Sequence, residues 1–158
     1  MNASLAALQA CLEKEASLMR EFLLILQDEA KVLEEGATED ALAGTTARKN
    51  SAADTLTEIA AQRNALLQAL GFDADAPGLA AAVDANPSLS SSSQAMLDIA
   101  AQARALNEAN GRIIDVFLDH NQRTLDTLRS LVGGGDIYDA SGRKRAGGKG
   151  SSRNIKAG

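Results

Sequence analysis

The chain has no tryptophan, one tyrosine, three phenylalanines, one cysteine, one histidine and two prolines in 158 residues. Each shortage removes something. Aromatics at 3% argue against a compact α/β or all-β domain, which packs rings and β-branched side chains at its centre. A single thiol, Cys11, forbids an intrachain disulfide and suits a reducing compartment. Both prolines, Pro77 and Pro87, lie between residues 72 and 91, so no helix breaker of that kind interrupts the rest. No apolar run approaches the ~18 residues of a membrane span, and the start MNASLAALQACLEKE lacks the basic region of a secretion signal. These absences point to a soluble, cytoplasmic chain without membrane insertion.

What is present is alanine and leucine. Hydrophobic residues make up 45%, yet 31 residues of the chain are Ala, which bury little area. A composition rich in Ala, Leu, Glu, Gln and Arg is that of long packed helices. The expected fold is all-α and elongated, with a thin core. Net charge is −5, unevenly spread: residues 136–158 carry six Lys or Arg against two Asp, which leaves the first 135 at −9. A basic tail without interleaved aromatics apart from Tyr138, on a body that repels phosphate, does not meet the requirements of a nucleic-acid binder.

Residues 4–35 place Leu5, Leu8, Leu12, Met19, Phe22, Leu26 and Leu33 on one stripe, with Glu15 and Glu29 at the two remaining steps. The spacing averages about 3.5 residues, the coiled-coil period. Ser4 is the expected cap and Gly36 the stop. A second helix is expected over 38–70, opened by T-E-D and ended by Gly71. Its stripe is Leu42, Thr45, Lys49, Ala52, Leu56, Ile59, Arg63, Leu66 and Leu70. A short loop makes the two an antiparallel hairpin. Pairing Leu33 with Leu42 then brings Glu29 within about one turn of Lys49, and Glu15 within about one turn of Arg63. Two cross-helix ion pairs that fix register are one reading; cations that extend to solvent along their stems are the other.

Residues 72–91 read as a crossover with a short helix near 78–85, opened by Pro77 and closed at Asn86-Pro87. The run SLSSSSQ reads as a solvated connector. A third long helix over 92–132 carries Met96, Ile99, Ala103, Leu106, Asn110, Ile114, Phe117, Asn121, Leu125, Leu128 and Val132, at about 3.6 residues per step. The expected architecture is an antiparallel bundle of three long helices, each roughly 50 Å. Residues 1–135 would form the domain and 136–158 a flexible basic, Gly-rich tail.

Chemistry is thinly represented. His120 and Cys11 lie on different helices. Asp115 and Asp119, with His120 next in sequence, offer carboxylates at i and i+4 on one helical face, but no second helix supplies the further ligands that a metal site needs. GRKRAGGKGSS echoes a phosphate-binding loop, yet Gly148 stands where its lysine belongs and no strand precedes it. The residues imply no catalytic site, no metal and no cofactor.

Apolar surface, by contrast, is in excess. Ile113, Ile114, Val116, Phe117 and Leu118 spread over about 200° of a helix, where one interface needs about 100°. F-L-L-I-L at 22–26 does the same on the first helix. In an up-down-up bundle these helices run parallel, so the two surpluses can merge into one patch. Such surplus marks a partner site, for another copy or another protein, unless the short Ala-rich helix covers it.

The hairpin, its second helix ending R63-N-A-L-L-Q-A-L-G71-F72, the crossover, N107-E-A-N110-G-R-I-I114 leading into H120-N-Q-R-T-L-D-T-L128, and I137-Y138-D-A-S-G142 together resemble the FlgN family of flagellar type III export chaperones over residues 5–142. The resemblance implies a cytosolic chaperone that holds hook-filament junction subunits and delivers them to the export gate. It implies a helical client segment laid on an apolar face of the C-terminal helix region, which by position nominates Ile113, Ile114, Phe117, Leu118, Leu125 and Leu128. It also implies docking on the export gate by a tyrosine beyond the last helix, here Tyr138 with its neighbour Ile137. The GGG at 133–135 and the long basic end do not carry over. Homodimerisation is open, and two other classes remain: a self-associating coiled-coil adaptor, and a helical enzyme or metal protein using Asp115, Asp119 and His120.

Overall fold

The computed structural model describes residues 2–131. All elements there are helical, in the order α1 (Ala3–Glu34), α2 (Glu39–Ala69), α3 (Ala76–Ala85), a 3-10 turn (Pro87–Leu89) and α4 (Ser90–Leu131). The fold is an all-α helical bundle, and no strand occurs among the described residues. Val132, Ile137, Tyr138 and the tail lie outside the described residues.

Local chemistry sets the helix ends. Asn2, rather than the expected Ser4, caps α1: its side-chain oxygen accepts from the Leu5 amide at 2.7 Å. The helix begins one residue before Ser4, and Asn is the equal of Ser at this position. Gly36 follows with φ 84°, a backbone region that L side chains avoid. Thr38 then caps α2 by accepting from the Ala41 amide, with Glu39 and Asp40 in the first turn complementing the helix dipole. Gly71, at φ 88°, turns the chain out of α2, and the Phe72 amide bonds back to the Leu67 carbonyl at 2.9 Å. Asp75 caps α3 through the Gly78 amide at 2.7 Å.

The Ser-rich run differs from the expected connector. Ser90 to Ser93 are the first turn of α4, Ser92 and Ser93 are buried, and the Ser92 hydroxyl donates to Glu13 at 3.2 Å. The Ser92 hydroxyl thereby finds its partner inside the fold rather than in water.

By compactness the chain divides into Met1–Asn110 and Gly111–Gly158. In the first unit, Leu5, Leu8, Leu12 and Ala16 of α1 pack with Leu67, Leu79, Ala82, Leu89 and Met96. Phe72 and Val83 close against this cluster, so the short helix α3 seals the end of the hairpin. Each fully buried leucine contributes about 1.5–3 kcal/mol relative to exposure. Toward the hairpin turn the seam holds Leu26 and Ala103, and then turns polar at Glu29 and Asn110. The second unit, as far as it is described, is the remainder of α4.

Candidate functional site

α1 and α2 are joined by three ion pairs. Glu29 and Lys49 are 3.2 Å apart, Glu15 pairs with Arg63, and Asp28 meets Arg48 at 2.9 Å on the surface. Glu15 and Glu29 occupy the apolar stripe of α1 and are buried, because each finds its cation in the matching stripe of α2. Glu29 also accepts from the Asn110 amide at 3.0 Å, and the same amide group donates to the Leu26 carbonyl at 2.9 Å. Asn110 is 1% exposed. The sequence places it on the stripe of the third long helix without assigning it a partner; a polar residue in a core position of a thin bundle was the available signal.

Cys11 is buried against the Ile59 carbonyl. Burial, and next the Glu15 carboxylate, push its thiol above the ordinary range, away from the thiolate that nucleophilic chemistry requires. Asp119 is engaged by Arg123 at 3.0 Å. Among the described residues no group of three or more His, Cys, Asp or Glu is placed to hold a metal ion. No described helix is long and apolar enough to cross a membrane.

The remaining feature is apolar surface. Beyond Asn110 no described side chain of α4 is buried. Ile113, Leu118 and Leu128 are exposed, while Ile114, Phe117 and Leu125 are half-buried. Val116 and Leu131 are the most open, at 70% and 77%. At 100° per residue, the arc from Val116 through Ile113, Phe117 and Ile114 to Leu118 is about 200° wide. Arg112, Asp115, Asp119, Arg123 and Asp126 fill the opposite arc. Leu131 extends the nominated set: it repeats the three-residue step from Leu128, a signal present in the sequence. Removing such a face from water is favourable, in proportion to the apolar area covered.

In the first unit, the F-L-L-I-L stretch divides its surplus. Leu26 is buried, whereas Leu24 is 60% exposed and, with Leu18, Ile25 and Ala52, lines a groove of about 500 Å³ between α1 and α2, edged by Glu21 and Arg48.

No curated protein and no solved structure matches the chain. The profile of the family described as FlgN protein matches residues 1–146.

Proposed function

The chain belongs to the FlgN family of flagellar export chaperones, and from that premise we propose that it holds hook-filament junction subunits in the cytoplasm and delivers them to the type III export gate. The observation that supports this most is the largely exposed apolar arc on residues 113–118, about twice as wide as one intrachain neighbour needs. The client would lay an amphipathic helical segment on Ile113, Ile114, Phe117, Leu118, Leu125 and Leu128, with Val116 and Leu131 at the edges. Ile137 and Tyr138, which lie outside the described residues, are proposed as the docking handle for the gate. An amphipathic ring beside an aliphatic side chain suits that task.

The test uses the full chain, a purified junction subunit and the gate protein. Leu118→Asp and Leu128→Asp change exposed positions, so helicity and melting temperature are expected to stay at wild-type values while client affinity falls at least tenfold for each, about 1.4 kcal/mol. Tyr138→Ala is expected to keep the client and lose the gate. Undiminished client binding by both Asp variants would sink the client surface. If light scattering of the free protein shows the arc consumed by a second copy, and no junction subunit binds at micromolar concentration, the self-associating adaptor replaces the chaperone reading.

A further inference from the structure

Glu29 of α1 is fully buried and is held from two other helices. Lys49 of α2 reaches both of its carboxylate oxygens at 3.2 Å, and Asn110 of α4 reaches Oε1 at 3.0 Å. The node sits beside Leu26, in a seam where apolar residues would serve stability at least as well. It is closed to solvent on the Glu29 and Asn110 sides, so it takes no direct part in binding a client.

Its value becomes apparent on considering the helices that could lie in this seam. The stripe Ile99, Ala103, Leu106, Asn110 repeats every three or four residues, so sliding α4 by seven positions, about 10 Å, puts Leu106 at the Ile99 place and Ile113 at the Leu106 place in one direction, and Met96 at the Ala103 place and Ile99 at the Leu106 place in the other. The node registers the shift, and so does the Ser92–Glu13 hydrogen bond nearer the start of α4. A slid α4 would put Ala103 or Phe117 against Glu29, remove one of the donors to its carboxylate and bury the Asn110 amide among apolar groups, which is costly. Any other apolar amphipathic helix entering the hairpin meets the same mismatch. A single polar residue in a helical core specifies register in this way, at some cost in stability.

We propose that Glu29, Lys49 and Asn110 form a selection device that admits α4 to the α1–α2 hairpin in one register and rejects shifted or foreign apolar helices. For a protein whose task involves amphipathic helices of others, this keeps α4 from being displaced by what it carries. The proposal concerns residues up to Asn110 alone, and its test needs no client, so its failure is separate from failure of the chaperone reading.

The experiment compares the full chain with its Glu29→Leu, Lys49→Met, Asn110→Leu triple variant, both in a Cys11→Ser background. Spin labels are attached at Gln27→Cys on α1 and Arg104→Cys on α4, two exposed positions. Pulsed electron paramagnetic resonance is expected to give one narrow distance with the node intact. The triple variant is expected to remain as helical, with a second distance population from displaced α4 and mixed oligomers by light scattering. A triple variant that keeps the single distance in one monodisperse species overturns the proposal. One that fails to fold overturns it equally, since the node would then serve stability rather than selection.

Discussion

Lys49→Met isolates the electrostatics of the seam. The substitution removes an ammonium 3.2 Å from Glu29 while keeping most of the stem volume. The Glu29 side chain has 0% exposure and that of Lys49 21%, so water cannot replace the lost partner at the carboxylate. Stranding one member of a buried pair costs about 3–5 kcal/mol. Because Asn110 continues to donate to Glu29, the lower end, about 3 kcal/mol, is expected. The control is one residue away: Arg48→Met breaks a pair whose side chains are 52% and 57% exposed, and such pairs are worth about 0–1 kcal/mol. Urea unfolding followed by circular dichroism at 222 nm reads the contrast. With a slope of about 2 kcal/mol per molar, Lys49→Met lowers the midpoint by about 1.5 M and Arg48→Met by less than about 0.5 M. Adding Glu29→Leu to Lys49→Met removes the stranded charge and restores most of the loss. Equal midpoints for the two single variants would refute the reasoning, because burial of Glu29 would then not decide the cost.

Two further expectations concern packing and titration. A Cβ at Gly78 would collide with the Asp73 backbone, whereas one at Gly44 meets open space. Thermal melts are therefore expected to show Gly78→Ala destabilised by about 1–3 kcal/mol and Gly44→Ala stabilised by about 0.5–1 kcal/mol; the reverse order contradicts the geometry. Cys11, its thiol pushed up first by burial and then by Glu15, is expected to alkylate far more slowly in the native protein than in urea at pH 8. Since the folded value lies above the unfolded one, the neutral thiol's contribution to stability is full below the ordinary thiol range and is lost as pH rises through the folded value. Native alkylation as fast as that of the unfolded chain, or stability rising with pH above that range, would contradict this.

Much of the hairpin is written in short-range pattern. Leu5 to Leu33 at 3.5-residue spacing defines a helix and its buried face, because side-chain direction along a helix follows from position alone. Thr38 and Gly71 mark helix ends because capping is also local. Glu15 and Glu29, standing in stripe positions opposite Arg63 and Lys49, were within reach of the same reasoning, since a four-residue turn leaves the antiparallel hairpin little freedom of register. The 113–118 excess was legible by counting angles.

What periodicity could not carry is contact between elements far apart in the chain. The sequence by itself determined that this is a chain of long helices, where they begin and end to within a few residues, and that α4 carries more apolar surface than one neighbour can cover. Only the tertiary structure decided that Ser92 and Ser93 are packed rather than solvated, and that Asn110, on the stripe, is a buried donor to Glu29. Those outcomes depend on whether another helix, about eighty residues distant, brings an acceptor to the same point, as Glu13 does for Ser92 and Glu29 for Asn110. A polar side chain has one meaning beside water and the opposite one beside a buried carboxylate.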